Sequence, residues 1–258
     1  MKAFLRILKR LRRRRRINIK IWSKYFKFYI GEECKKFKIE TNAAQFVESV
    51  EPWRSTPKVI GRSYLYMGFF SLSGADEFDG LIANRDDCLR IAEIIANAIP
   101  SDLRAGGWRS VFDRRIVRMI EKSDYEIISM VDSVLSEVEF PVTGAHGDLS
   151  KNNVLVSRSH DSYTIIDWET FREDGSCIED IIRLIFTSVR SKGDPYRDIN
   201  ELVDSNVLHL DFLQRFLTYY QALVVSIVSQ ATAEIESRNT EDVYNRLKIR
   251  IMNIKKLG

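Results

Sequence analysis

The sequence predicts an α+β protein with a small β-rich N-terminal part and a larger helical C-terminal part. Three observations predict it. Residues 17–70 contain several short, β-prone runs of alternating apolar and polar residues. From Asp86 onward, apolar residues recur mostly at helical spacing. Two short apolar runs, Asn153–Val156 and Tyr163–Ile166, interrupt these helices and predict a hairpin with a polar turn at 157–162.

Length and composition are those of a globular protein. The chain has 258 residues, 45% of them hydrophobic and 29% charged, enough for one large domain or for two lobes around a cleft. Its cysteines, Cys34, Cys88 and Cys177, are odd in number and form no CxxC pair. We therefore expect reduced thiols in a cytoplasmic protein rather than a disulfide framework or a zinc site.

The positive charge is concentrated at the N-terminus. The formal net charge is +4, but residues 1–16 carry nine basic residues and no acidic one, so the rest of the chain is net acidic. A basic nucleic-acid-binding surface is therefore not expected on the main body. No window approaches the ~20 apolar residues of a membrane span. A secretory signal is not expected in the first residues, because Arg6, Lys9 and Arg10 interrupt the apolar positions.

Residues 1–16 form a basic arm with an apolar face. Apolar residues recur there at helical spacing: Phe4, Leu5, Ile7, Leu8 and Leu11. A basic amphipathic helix of this kind can lie on an anionic membrane surface, which predicts peripheral contact with the inner membrane face. The alternative is a solvated, frayed arm, because about three helical turns are only marginally stable in water.

The N-terminal part, residues 17–70, is predicted to contain four strands and one helix. The predicted strands are Ile17–Ile21, Tyr25–Ile30, Lys58–Ile60 and Tyr64–Met67, with a turn at Ser23–Lys24 and a candidate hinge at Gly68–Phe70. Glu40–Val50 has helical periodicity.

The C-terminal part, residues 71–258, is predicted to be mainly helical. The predicted helices are Asp86–Ala98, Trp108–Val138 with a possible break near Ser123–Asp124, Ile178–Val189, Leu210–Ser229 and Glu241–Lys255.

Two polar strings flank the predicted hairpin. The first runs from Gly144 to Asn153 and ends in the first strand, and the second places Asp167 directly after the second strand. A hairpin brings these ends together, so we expect Asp148, Asn153 and Asp167 to lie close to one another. Two of these groups suit Mg²⁺, which prefers oxygen ligands, and the remaining acid can accept a proton from a substrate hydroxyl.

These strings resemble the hallmarks of the aminoglycoside phosphotransferase and choline kinase family. Its H-G-D-x-x-x-x-N motif corresponds to His146–Asn153, and its following I-D-W/F motif to Ile166–Trp168. The resemblance implies a protein-kinase-like two-lobe fold, with a β-rich N-lobe and a helical C-lobe. It also implies ATP- and Mg²⁺-dependent phosphorylation of an alcohol group.

The resemblance implies a role for each matching residue. Asp148 resembles the catalytic base that orients the acceptor hydroxyl, and Asn153 and Asp167 resemble the magnesium ligands. His146 resembles a scaffold histidine of the catalytic loop, and Asp180 resembles a structural aspartate that holds the backbone of this loop. Lys151, inside the loop, is a candidate contact for the transferred phosphate, with a solvated lysine as the alternative.

The N-terminal match is thinner. The family has a strand lysine that contacts the nucleotide phosphates and a helix glutamate that pairs with it. Lys27 and Glu40 fit this pair best, because Lys27 lies in an apolar strand and Glu40 at the predicted start of a helix. Lys38 is the competing lysine. No glycine precedes Gly31, so the usual phosphate-covering turn is missing, reduced or replaced by the arm.

The expected function is phosphorylation of a small molecule or glycan. Within it, the basic arm favours a cell-envelope sugar or glycolipid acceptor over an aminoglycoside or a choline-like amine. The acids in residues 194–204 offer only an interrupted anionic wall for a polycation. A catalytically weak pseudokinase or nucleotide-binding module is the alternative from another class. A protein kinase ranks lower, because no A-P-E-like segment follows Asp167.

Overall fold

The structure is a computed structural model of the chain. It describes residues 16–21, 24–30, 34–58, 62–66, 70–76, 80–189, 209–234 and 239–255. Several sequence-based predictions fall outside these residues: almost all of the basic arm, the turn residue Ser23, the centre of the candidate hinge, and the acids of 194–204.

The N-terminal part contains a four-stranded antiparallel sheet. Its strands are β1 (Arg16–Ile21), β2 (Lys24–Ile30), β3 (Arg62–Tyr66) and β4 (Phe70–Asp76). The spatial order is β1-β2-β4-β3. The first two predicted strands are confirmed and pair with each other, with Ile19 opposite Phe26, but Lys24, predicted to lie in the turn, begins β2. Strand β4 pairs with both β2 and β3, so the sheet continues past residue 70 to Asp76.

Helix α1 (Cys34–Val47) begins six residues earlier than predicted. Glu40 therefore lies in the second turn, and its predicted place at the helix start is wrong. The buried positions Cys34, Phe37, Glu40 and Ala43 recur every three residues. The charged residues between them dilute this apolar signal, so the sequence pattern does not reveal the first turn.

The segment after α1 packs against the predicted hairpin. Lys58 forms an isolated parallel bridge with Ile165, and the Pro57 carbonyl accepts a hydrogen bond from the Ile165 amide at 3.0 Å. The fully buried Trp53 donates its indole N–H to the Gly144 carbonyl at 2.9 Å. The sequence predicts a strand at Lys58–Ile60. Its first residue, Lys58, forms the bridge to Ile165, and residues 59–61 lie outside the described part of the chain.

The C-terminal part is mainly helical. Its helices are α2 (Arg85–Asn97), α3 (Trp108–Val111), α4 (Arg114–Glu121), α5 (Tyr125–Leu135), α6 (Cys177–Val189), α7 (Asp211–Gln214), α8 (Tyr219–Glu234) and α9 (Thr240–Lys255). Short strands complete it: β5 (Leu81–Ile82), β6 (Ala105–Gly106), β7 (Phe140–Pro141), β8 (Val154–Val156) and β9 (Tyr163–Ile165).

Two predicted helices are divided by side-chain caps. The predicted break at Ser123–Asp124 is confirmed, but a second break follows α3, where the Asp113 carboxylate accepts the Arg115 amide at 2.8 Å. The predicted helix Leu210–Ser229 is two helices. Thr218 and Gln221 exchange hydrogen bonds in a capping box that starts α8.

Helix α6 lies at the centre of the C-terminal core. It packs against α2 on one side and α8 on another, and residues 177–186 are all buried. Because α6 is buried over these residues, it can serve as a fixed support for the loop that packs on it.

The three cysteines are free and buried. Among the described residues, no helix has the length and apolar character needed to cross a bilayer.

Candidate active site

The β8–β9 hairpin brings two predicted site residues to the same end. Val154 lies opposite Ile165, and the Ile166 amide donates to the Asn153 carbonyl at 3.0 Å. Asn153 directly precedes the first strand, and Asp167 follows the second by two residues. The predicted hairpin, and with it the shared location of Asn153 and Asp167, is confirmed.

A buried carboxylate holds the loop that precedes the hairpin. Asp180 on α6 accepts the backbone N–H of His146 at 2.6 Å and that of Gly147 at 2.9 Å. Asp180 is fully buried. Each carboxylate oxygen takes one amide, which fixes the peptide planes just before Asp148. The expectation that Asp180 holds the backbone of this loop is confirmed.

His146 is a scaffold residue, as expected. Its ring is fully buried, 4.6 Å from the Trp168 ring between centroids. The Nε2 atom faces the Ile166 carbonyl at 2.9 Å, and the Asp148 amide donates to Nδ1 at 3.3 Å. Because a carbonyl only accepts, the proton is assigned to Nε2. The imidazole thus joins the loop to the far strand of the hairpin.

Asp148 and Asn153 are direct neighbours. The Asn153 Nδ2 donates to the Asp148 carbonyl at 2.7 Å and lies 3.4 Å from the carboxylate Oδ2. Both partners are acceptors, so the amide orientation is fixed and Oδ1 of Asn153 faces away from them. On the other side, Arg183 Nη2 donates to Asp148 Oδ1. The Asp148 carboxylate is therefore held between an amide and a guanidinium.

The backbone at Asp167 adopts an unusual conformation. Its φ of 67° and ψ of 58° lie in the left-handed region, which few non-glycine residues adopt. The following 3₁₀ turn, Trp168–Thr170, rests on the loop, because the Thr170 hydroxyl donates to the His146 carbonyl at 2.9 Å. Gly147 (φ 82°) lies so close that an added Cβ would come within 2.5 Å of the Thr170 carbonyl oxygen. Loop and turn therefore fix one another.

The N-terminal candidates lie on β2 and α1. Lys27 is in β2, opposite Asn18 on one side and Ser73 on the other. Glu40 is buried, and the Tyr29 hydroxyl lies 3.2 Å from its Oε2 and 3.4 Å from Oε2 of Glu169. Lys38 lies in α1, so it is not a strand lysine.

A cleft of about 360 Å³ opens beside the loop. Its lining includes Asp148, Glu169 and Arg172 from the C-terminal part and Lys36 and Ile39 from α1. Lys36 and Glu169 form an ion pair at 3.5 Å across it. The cleft thus borders the carboxylate of Asp148 and carries charges of both signs.

The donor set suits a magnesium ion better than a transition metal. In the described part of the chain, no three His, Cys, Asp or Glu side chains cluster as metal ligands. Asn153 Oδ1 and the Asp167 carboxylate are hard oxygen donors at one hairpin end. Mg²⁺ is usually held by one or two carboxylates, with water and substrate phosphates completing its shell. The residues present therefore fit Mg²⁺ bound together with a nucleotide.

Burial raises the pKa of Asp180 to about 7, and the nearby carboxylate of Glu179 acts in the same direction. The amides of Gly147 and His146 and the Arg172 guanidinium act in the opposite direction. Arg172 itself pairs with Glu179 at 2.5 Å. Desolvation prevails because the carboxylate has no access to solvent.

Sequence reasoning missed three residues of this region. Arg183 contacts Asp148, Tyr29 contacts Glu40, and Glu169 lines the cleft. Glu169 directly follows the I-D-W motif, and Arg183 lies three residues after Asp180. Those spacings were the available signals, whereas the contact of Tyr29 depends on strand pairing and could not be deduced locally.

Comparison with known proteins shows the fold. No protein-family model matches the sequence. No curated protein matches it either. Choline kinase LicA from Streptococcus pneumoniae is similar in structure, with a TM-score of 0.54, 14% identity, and coverage of 94% of this chain and 90% of that chain.

Two aminoglycoside phosphotransferases are also similar. The GDP complex of aminoglycoside 2'-phosphotransferase-IIIa gives a TM-score of 0.53 at 14% identity, covering 95% of this chain and 90% of that one. A phosphotransferase in ternary complex with AMP-PNP and hygromycin B gives 0.50 at 9%, covering 92% and 93%. The chain therefore has the protein-kinase-like two-lobe fold found in these small-molecule kinases.

Gly147→Ala should destabilise the protein, because it places a residue with a Cβ in the left-handed backbone conformation and brings that Cβ against the Thr170 carbonyl. We expect the free energy of unfolding to fall by about 2 kcal/mol or more. Gly107→Ala is the matched control, since nothing lies within 4 Å of its added Cβ. Urea denaturation measures both variants. Equal stabilities would show that the loop does not pack on Thr170 as described.

The raised pKa of Asp180 makes stability depend on pH. Below about pH 7 the folded protein keeps a proton that the unfolded chain, with a pKa of 3.8, has already released above pH ~4. The free energy of unfolding should therefore decrease as pH rises from about 5 to 7, by at most ~1.4 kcal/mol per pH unit from this group, and then level off.

Asp180→Asn should remove this part of the slope, and the exposed Asp86→Asn should retain it. Urea denaturation at pH 5, 6, 7 and 8 gives the slopes. Parallel slopes for wild type and Asp180→Asn would contradict the raised pKa.

Proposed function

We propose that this chain transfers the γ-phosphoryl group of ATP, with Mg²⁺, to a hydroxyl of a small molecule. The observation that carries the proposal is the arrangement of residues 146–153, the candidate catalytic loop. Asp180 holds its backbone, Asn153 donates to Asp148, and Asp167 follows the paired strand at the same hairpin end. The arrangement borders a cleft large enough for a small acceptor.

Asp148 is the proposed catalytic base. Phosphoryl transfer proceeds through a loose transition state, so the protein contributes chiefly alignment and charge stabilisation. The Asp148 carboxylate is 42% exposed and lines the cleft, where an acceptor hydroxyl can reach it. It would accept the hydroxyl proton as the new O–P bond forms.

Asn153 and Asp167 are the proposed magnesium ligands. Asn153 contributes Oδ1, because its Nδ2 is engaged by Asp148. When bound, Mg²⁺ would neutralise charge on the β- and γ-phosphates. Lys151, in the turn between Asp148 and Asn153, is the proposed contact for the transferred phosphate.

Lys27 and Glu40 form the proposed nucleotide site. Lys27 belongs to β2, the strand that also contains Tyr29. Tyr29 contacts Glu40, so the strand that carries Lys27 lies beside the helix that carries Glu40. The complexes of similar proteins with GDP and AMP-PNP support a nucleotide as the phosphate donor.

The acceptor is proposed to be a hydroxyl of a cell-envelope sugar or glycolipid. The cleft has charges of both signs, with Arg172 and Lys36 near Asp148 and Glu169, rather than the uniformly acidic wall that suits a polycation. The basic arm of residues 1–16 would hold such an enzyme at an anionic membrane face. Choline-like amines and aminoglycosides are the competing acceptors, suggested by the similar structures.

Asp148→Asn should lower turnover by roughly 100-fold or more and leave ATP binding unchanged, in line with general-base contributions. ADP release is measured against core-oligosaccharide sugars, choline, ethanolamine and aminoglycosides, with ATP and with GTP. Asp86→Asn, an exposed change, is the control. Full turnover of Asp148→Asn would refute the base. If the protein bound nucleotide but released no ADP in the presence of any acceptor, it would instead be a binding module.

Lys27→Ala should weaken ATP binding by at least tenfold, because a charge-assisted contact with the phosphates is lost. Lys38→Ala is the matched control, since Lys38 is exposed on α1. Isothermal titration calorimetry with MgATP compares them. A larger loss in Lys38→Ala than in Lys27→Ala would exclude the proposed strand lysine.

A further inference from the structure

Arg183 connects the core of the C-terminal part to the proposed base. It lies in the middle of α6 and is only 7% exposed. Its Nη1 donates to the Ser229 carbonyl on α8 at 3.2 Å, and its Nη2 donates to Oδ1 of Asp148. One guanidinium therefore spans from α8 to the edge of the cleft.

Arg183 and Asp180 act on consecutive parts of the same loop. They are three residues apart on α6, a spacing that places both on one helix face. Asp180 takes the amides of His146 and Gly147, and Arg183 takes the carboxylate of the next residue, Asp148. A single helix face thus fixes the backbone of the loop and the side chain that follows.

The position of Arg183 is costly for the fold. Its neighbours in α6 are mostly apolar and buried, and its Nε is buried with no hydrogen-bond partner among the described residues. A buried guanidinium that is only partly satisfied destabilises a core compared with an apolar side chain of similar volume. Packing alone therefore gives no reason for an arginine at this place.

We propose that Arg183 is a positioning residue for phosphoryl transfer. It holds Oδ1 of Asp148 and so presents Oδ2, on the side of Asn153, to the acceptor hydroxyl. This inference rests on the proposed function, in which Asp148 is the base. Alignment matters here because a carboxylate can rotate about two side-chain torsions, and misplacement by about 1 Å can cost on the order of 100-fold in rate.

A double-mutant cycle tests the role. Arg183→Met, Asp148→Asn and the double variant are compared for kcat and for KM of ATP, with the best acceptor of the panel. Arg183→Met should lower kcat at least tenfold, with KM for ATP within about twofold. Residues that act as one unit are not additive, so in the Asp148→Asn background the same change should cost less than about twofold.

Two further variants separate positioning from structure. Arg183→Lys keeps the charge but not the planar fork, and it should recover at least threefold of the lost kcat. Arg250→Met is the matched control, because Arg250 is also a buried, ion-paired arginine but lies on α9 and pairs with Glu234. Because it leaves the largely buried carboxylate of Glu234 without this partner, it should lower stability in urea, while kcat stays within about twofold of wild type.

The outcomes are distinct. Unchanged kcat in Arg183→Met, or equal losses in the wild-type and Asp148→Asn backgrounds, would overturn the positioning role while leaving the proposed function intact. If Arg183→Met does not fold, Arg183→Lys is put through the same cycle. A kcat loss that disappears in Asp148→Asn supports the role, and an equal loss in both backgrounds overturns it. A wild-type protein that releases no ADP with any acceptor overturns both proposals.

Discussion

The site depends on one buried carboxylate. Asp180 has no contact with solvent and satisfies two successive backbone amides, those of His146 and Gly147. Without it, those amides would be buried without partners, at a cost of about 1–3 kcal/mol each. The peptide planes just before Asp148 would then lose the contacts that fix them, and the remaining contacts of the loop, those of Thr170, Asn153 and Arg183, would have to hold it alone. Because α6 is buried along most of its length, this support is as rigid as the core itself.

Contacts of three aromatic side chains, Trp53, Trp168 and Tyr29, bring the separate elements together. Trp53 holds the Gly144 carbonyl and packs edge-on against Trp168, with ring centroids 5.3 Å apart. The loop before Asp148 and the turn after Asp167 therefore share one aromatic support. On the N-terminal side, the Tyr29 hydroxyl lies between the carboxylates of Glu40 and Glu169, so β2, α1 and this turn converge at one point. A nucleotide bound between the lobes would be enclosed by elements that are already in mutual contact.

The sequence predicted the hairpin and the shared end of Asn153 and Asp167, because local alternation and a polar turn determine such features. It also indicated Asp180, but only through resemblance to a family. The early start of α1 before Glu40 was missed, since lysines lie between its buried positions and dilute the apolar pattern. The break before α8 was missed although Thr218 begins a capping box. Arg183 was missed because its two partners, Asp148 and Ser229, come from distant parts of the chain, and its spacing of three residues from Asp180 was the only local signal.

The central claim is that the hairpin end binds a magnesium–nucleotide complex. Calorimetry of ATP binding with and without Mg²⁺, in wild type and in Asp167→Ala, tests it most directly. Asp161→Ala, an exposed change in the turn of the same hairpin, is the control. The account predicts that Mg²⁺ strengthens ATP binding in wild type and in the control, and that Asp167→Ala loses this gain because a metal ligand is removed. Equal Mg²⁺-dependent affinity in wild type and Asp167→Ala would contradict it.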